Sequence, residues 1–409
     1  MKHLLVSLTF LIACFPLQLS AQDWTPDREK LREDLKEILT DLEYSYVYFE
    51  EKGIDLACLR EYYGAQIDSV ETEEDVVLLF EYLLDEFTDS HVMLNTNRAS
   101  SYRLFAPLYA TLTEGRLFIF SLWQTQLEQV PSGLIGAQLI SWNGIPIEEA
   151  IAAFPTHCND KDEPKVREWI ANKILAGRYN QPRMLKVQLN GGQVAELDLD
   201  QLQIRSEERL LSHRVEQEIG IIRIHNSLGN NDLIRAFDSA LDQLTETKGL
   251  IIDLRNTIDG GNSYVARGIM SRFITEARPY QQHLASKQFG DNPPVPRRWV
   301  EYVQPRGETY PHPVIVLVGR WTGSMGEGLA IGFEGMQRGK VMGTEMERLA
   351  GEMNGFGFRH QSFGYRLSVA RLFHLNGTPR EAYLPSLYVP STTTEGDETM
   401  ERALEWLRK

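Results

Sequence analysis

The sequence predicts an α/β core preceded by an N-terminal helical domain and a β-rich insert, and three patterns carry that reading. From Pro26 to about Phe87, apolar residues recur at three- and four-residue spacing (Leu31, Leu35, Ile38, Leu39, Leu42, then Val76, Val77, Leu79, Leu83, Leu84), the period of a helix with one buried face. Between about Tyr102 and Asp200 the pattern changes to short apolar runs separated by Gly, Pro and Asn. From about Val215 strand-like and helix-like segments alternate, the rhythm of an α/β domain. The expected divisions are 22–95 for the helical domain, 102–205 for the insert and 206–409 for the core.

Taken in order, the first residues are a short basic start, Met1-Lys2-His3, and an apolar stretch from Leu4 to Ala13 that is too short to span a bilayer. This reads as an export signal, residues 1–21, with cleavage after Ala21 and a periplasmic or secreted product. Leu11-Ile12-Ala13-Cys14 also fits a lipoprotein signal, in which Cys14 would become the anchored N-terminus. No later segment is apolar enough to cross a membrane. Thr72-Glu73-Glu74-Asp75 marks the start of the last N-terminal helix, and Val92-Met93-Leu94 reads as a strand after the corner Thr88-Asp89-Ser90-His91.

In the insert, Leu117–Phe120 and Leu185–Leu189 are expected strands. Gly133 to Ile151 gives a strand, an Asn143-Gly144 turn, a short strand and a helix, an order that resembles a PDZ module. A peptide-reading role by strand addition and a purely packing role are both open. Further on, Gly220–Ile224 and Gly249–Leu254 read as strands, Asp232–Leu244 and Tyr264–Phe273 as helices, and Arg278–Gly307 as a loop rich in Pro and Arg. Val314–Val318, Lys340–Met342, Gly355–Phe358 and Tyr365–Phe373 are expected strands, and Glu401–Leu407 a closing helix.

Composition bounds the function. A chain of 409 residues with 42% hydrophobic residues buries sizeable cores, while a net charge of −15 without any basic run argues against nucleic acid as a partner. Once a signal is removed, Cys58 and Cys158 are the remaining cysteines; a disulfide and two separate buried thiols are both open. Neither has the clustered Cys/His spacing of a zinc site, and no metal or organic cofactor is expected.

Ser324 is the candidate nucleophile. It lies in Trp321-Thr322-Gly323-Ser324-Met325-Gly326-Glu327, between an apolar strand and a helix-like segment, where a helix N-terminus can face developing negative charge. A serine needs a base, and no lysine occurs between Lys340 and Lys409. Among nine histidines, His91 stands at a helix-to-strand corner, where a side chain can enter a cleft.

Read together, several segments resemble the C-terminal-processing, or tail-specific, serine peptidases. They are Gly249–Asn256 followed by Gly260-Gly261-Asn262, the strand–turn–helix of Pro313–Phe333, Asp89-Ser90-His91, and Gly396-Asp397 through Ala403-Leu404. The resemblance covers most of the mature chain and implies a crotonase/ClpP-like core. Many members place a lysine about two dozen residues after the serine, where this chain has Met346-Glu347-Arg348-Leu349-Ala350-Gly351. Arg348 stays protonated and cannot act as the base.

The departure is similar to the tricorn-like branch, which implies a tetrad of Ser324, His91, Ser90 and Glu381, with Asp89 bracing the corner. It further implies an oxyanion hole from the N–H of Met325 and the loop at Gly260, where Asn256–Asp259 looks one residue longer than the family's pattern. The expected activity is serine-type hydrolysis of peptides or unfolded protein. An inactive binding protein on the same fold and a hydrolase of non-peptide esters or amides are the alternatives, and homo-oligomerisation is open.

Overall fold

The computed structural model describes residues 24–287 and 292–409; the expected signal segment, including Cys14, lies outside the described residues. Strands Val314–Val318 and Gly249–Asp253 occupy the middle of a six-stranded sheet, and every residue of both is buried. This is the expectation for parallel strands covered on two faces, whose side chains are apolar in either direction. The full order is Leu387–Tyr388, Lys340–Gly343, Val314–Val318, Gly249–Asp253, Ile219–Ile224, Leu211–Glu216, parallel except for the last pair. Helices Asp232–Asp242, Ser263–Met270 and Met325–Gly335 pack on one face, through Phe237, Ile269 and Phe333. Helix Glu398–Leu407 covers the other through Met400, Ala403 and Leu404.

That closing helix begins earlier than its sequence pattern indicates, because Asp397 caps it by accepting the N–H of Met400 at 3.1 Å. The same carboxylate takes two hydrogen bonds from Arg255, at 2.6 and 2.9 Å, and Arg255 also binds the buried Asp253 at the end of its strand. Burial alone would raise the Asp253 carboxyl, yet Arg255 and Arg223 hold it well below the ordinary carboxylate range. Gly396-Asp397 is therefore a clasp that ties the last helix to the glycine loop.

Three helices, Arg28–Ser45, Leu56–Gln66 and Glu73–Asp85, form the N-terminal layer, the last opened by a reciprocal Thr72/Asp75 capping box. Their core includes Phe358, Tyr365 and Leu367 from the far end of the chain. Met93–Leu94 pairs antiparallel with Gly364–Phe373, so the Asp89-Ser90-His91 corner is held against the C-terminal half. One expectation is corrected in this layer. Arg278–Gly307 is not a loop: Arg278–Lys287 and Val295–Val303 are paired antiparallel strands, and the first also pairs with Gly364–Phe373. The first strand's buried positions, Tyr280, Gln281, His283 and Ala285, include two polar side chains and so show no apolar alternation, and proline and arginine occupy the exposed edge strand, where neither obstructs pairing.

The insert is an antiparallel sheet of Leu108–Thr113, Arg116–Leu122, Gln138–Trp142, Met184–Gln188 and Val194–Asp198, with Ile145–Pro146 alongside. Asn143 and Gly144, at φ 47° and 82°, make the expected tight turn. It also contains a helix, Pro164–Ala176, that the strand reading of this region passed over although Glu163 caps it and Pro164 opens it. This helix closes the sheet edge. Asn172 exchanges two hydrogen bonds with the backbone of Ala110, and Glu168 accepts the N–H of Leu112, so outward groups of the edge strand Leu108–Thr113 are already engaged. Cys58 and Cys158 form a disulfide, resolving the choice left open by sequence and tying the helical layer to the insert. Among the described residues, no helix is long and apolar enough to cross a membrane.

Candidate active site

The turn that carries Ser324 is built by the end of strand Val314–Val318. Thr322 bridges to Thr257, its hydroxyl donates to Leu254 O at 3.0 Å, and Gly323 N–H donates to Thr257 O at 3.2 Å. Ser324 then adopts φ 48°, ψ −109°, a conformation costly for any residue with a Cβ. What holds it there is Glu327, three residues on, whose Oε2 accepts the Ser324 N–H at 3.0 Å. Helix Met325–Gly335 starts at once, so the N–H of Met325 lies beside the serine at the positive end of the helix.

Gly260 is pressed against this turn at φ 64°; a Cβ there would stand 2.5 Å from Ser324 Cβ and 2.9 Å from Met325 N. Only glycine fits. Its own N–H closes a turn on Thr257 O at 3.0 Å, so what Gly260 supplies directly is room beside the serine. The loop is braced by a reciprocal pair, Asn226 to Asp259 through side chain and backbone at 2.7 and 2.9 Å. It is also clamped to the insert. Trp123 stacks on Trp321 with centroids 5.4 Å apart, and its indole N–H reaches Arg255 O and Asn256 Oδ1, each at 3.0 Å.

At the corner, Asp89 receives the hydroxyl of Tyr46 at 2.7 Å and the N–H of His91 at 2.9 Å, which is the bracing expected of it. His91 is 2% exposed. Its Nδ1 lies 2.9 Å from Ala350 O, and because a carbonyl can only accept, Nδ1 carries the proton and Nε2 the lone pair. Nε2 is buried without a hydrogen-bond partner. Burial, followed by the charge of Arg380, lowers the imidazole to about 4.

Ser90 and Glu381 line one cavity of about 910 Å³, together with Trp321, Glu347 and Ala350. The Ser90 hydroxyl accepts from the Trp169 indole at 3.3 Å, and the Glu381 carboxyl, raised by burial, faces the hydroxyl of Tyr48. Tyr48 and Glu381 are near enough to interact electrostatically, while Tyr48 Oη and Glu381 Oε2 make no hydrogen bond of ordinary geometry. Ser324 and His91 are not among the residues that line it; His91 is joined to the lining residue Ala350 through its Nδ1. Of the four candidate side chains, Ser90 and Glu381 line this cavity, and among the described contacts no hydrogen bond joins any two of the four.

Two acids at this site carry no role in the sequence reading. Glu327 is wholly buried and accepts the N–H groups of Ser324, Arg348 and Leu349, and burial pushes it up to about 7. Ser324-Met325-Gly326-Glu327 has the spacing of a capping box, a signal available in the sequence. Glu347 packs its carboxyl against Gly323 and is pushed up to about 8 by burial and by the charges of Glu327 and Asp259.

Residues 218–383 match the model of peptidase family S41, and residues 27–85 that of the tricorn protease C1 domain. The S41 match spans most of the α/β half. Solved structures with the same fold include mature CPAF complexed with lactacystin, at 14% identity and TM-score 0.61, covering 93% of this chain and 97% of that one. The photosystem II D1 C-terminal processing protease aligns at 14% identity and TM-score 0.56, covering 94% of this chain and 98% of its own. A putative peptidase from Parabacteroides merdae aligns at 16% identity and TM-score 0.53, covering 94% and 98%. No curated protein sequence matches significantly. The S41 match and the fold support a peptidase.

Proposed function

We propose that the chain is an exported serine peptidase that cleaves peptide bonds through an acyl-enzyme on Ser324, with His91 as general base. The observation that carries this is the backbone of Ser324, a serine held at positive φ between a buried strand and a helix N-terminus, with a glycine pressed against it. Strain of this kind is kept where the side chain must be presented.

In the proposed reaction Ser324 Oγ attacks the scissile carbonyl as His91 Nε2 takes its proton, and the Met325 N–H faces the oxyanion. The imidazolium then protonates the leaving amine, and water, activated by the same nitrogen, releases the acyl group. Nε2 is the correct nitrogen for this, since Nδ1 is fixed on Ala350 O. Ser90 and Glu381 would complete the tetrad by turning from Trp169 and Tyr48 toward the imidazole. The disulfide supports an oxidising, exported location. The engaged edge of Leu108–Thr113 favours a packing role for the PDZ-like insert over peptide capture.

A panel of unfolded proteins and peptides incubated with the wild type, Ser324→Ala and His91→Asn tests the reading. Cleavage by the wild type alone is expected. Equal cleavage by all three proteins would overturn it, and turnover of esters without any peptide cleavage would move the assignment to a non-peptide hydrolase.

A further inference from the structure

Residues 348–351 form a short strap without regular secondary structure, yet five of its eight backbone polar groups are committed to a named side chain. The N–H groups of Arg348 and Leu349 donate to Glu327, at 2.9 and 3.2 Å. The carbonyls of Leu349 and Gly351 both accept from Arg380 Nη2, at 2.9 Å. Between them, Ala350 O takes His91 Nδ1 at 2.9 Å and Ser368 Oγ at 2.5 Å. A segment with no strand or helix to hold it is fixed here by two buried side chains, Glu327 at 0% and Arg380 at 3% exposure.

Each of those side chains is joined to a different part of the candidate tetrad. The Glu327 oxygen that holds Leu349 also holds the N–H of Ser324. Arg380 directly precedes Glu381 in sequence, so the strap's hold on Arg380 is also a hold on Glu381. The middle of the strap orients the imidazole. Arg380 Nε lies 3.8 Å from Glu327 Oε2, which completes the frame with opposite charges in a dry setting.

We propose that Glu327 and Arg380 are positioning residues that set Ser324, His91 and Glu381 in a common register by clamping the strap 348–351 between them. This rests on the serine-peptidase reading above. Neither side chain touches substrate; both act through backbone groups that orient those that do. The arrangement explains why a carboxyl is buried three residues after the nucleophile at the cost of desolvation. It accepts three donors that no shorter or neutral side chain at this site would satisfy together.

The test uses Glu327→Gln and Arg380→Met in the full chain, with three readouts: kcat and KM on a cleaved peptide, the His91 imidazole titration by NMR, and thermal unfolding. A displaced register is expected to lower kcat by about 100-fold with KM changed less than about threefold. Removing the charge of Arg380 is expected to move the His91 titration upward. A loss of stability with kcat unchanged, or an unshifted His91 titration in a folded Arg380→Met protein, would overturn the inference. If Glu327→Gln fails to fold, Glu327→Asp, with one carboxylate arm too short to reach all three donors, must show the kcat loss. A wild type that cleaves nothing and carries no reactive Ser324 would instead defeat the underlying reading, while the NMR titration still decides the role of Arg380.

Discussion

A histidine buried as a neutral base should make the fold sensitive to acid in a defined window. In the folded protein His91 titrates at about 4, against 6.5 for an ordinary imidazole, because it is desolvated and stands near the Arg380 charge, with Asp89 opposing only in part. The folded value is depressed, so the stabilising contribution is complete above 6.5 and is lost as pH falls through 4. Between 6.5 and 4, with 1.36 kcal/mol for each pH unit, the loss is about 3 kcal/mol. Glu327 and Glu347, raised to about 7 and 8, act with the opposite sign: their contributions are complete below 4.5 and are lost as pH rises through those values. A single stability curve would mix the two effects. The wild type is therefore compared with His91→Asn, whose amide can still donate to Ala350 O. Urea unfolding of both proteins from pH 7.5 to 3.5 should show the wild-type advantage shrinking by about 3 kcal/mol across that window. Two parallel curves would refute a buried neutral imidazole.

Other consequences follow from the same contacts. Trp123→Ala, which removes the stack on Trp321 and two hydrogen bonds to the glycine loop, should cost about 3 kcal/mol in urea unfolding; under about 1 kcal/mol would mean the insert is not clamped there. Gly260→Ala must place a methyl 2.5 Å from Ser324 Cβ at a positive φ, and should abolish turnover while the protein still folds with a stability loss of about 1 to 3 kcal/mol. Unchanged turnover would show that the turn is free to move. Replacing Cys58 and Cys158 by serine, residues 100 apart in sequence, should lower stability by about 2 to 4 kcal/mol, read by urea unfolding. No change would show that the covalent tie is redundant with the Glu86 contacts beside it, where that carboxylate accepts the N–H groups of His157, Cys158 and Asn159.

The α/β core was legible because its strands are uniformly apolar and its helices keep a strict period. Val314–Val318 and Gly249–Asp253 have no other stable place than the middle of a covered sheet. The strand–turn–helix at Ser324 was legible from its flanking glycines and apolar run, since the turn chemistry is local. The hairpin within Arg278–Val303 was not, because its outer strand is an exposed edge where Arg and Pro replace the apolar alternation. The clamp of Glu327 and Arg380 was hidden for another reason. Its partners are backbone groups of residues 348–351, and backbone atoms leave no trace in a sequence of side chains. Nor could sequence say how Ser90 and Glu381 would be turned, since Trp169, on a helix of the insert, and Tyr48, in a turn of the N-terminal layer, come from elsewhere in the chain.

The central claim is that Ser324 is a nucleophile activated by the protein around it. Incubation with a fluorophosphonate probe, followed by mass mapping of the adduct, tests it without knowledge of the natural substrate. The wild type should be labelled on Ser324, Ser324→Ala should not be labelled, and His91→Asn should be labelled far more slowly. Absence of label on a folded wild type, or label that persists in Ser324→Ala, would contradict it.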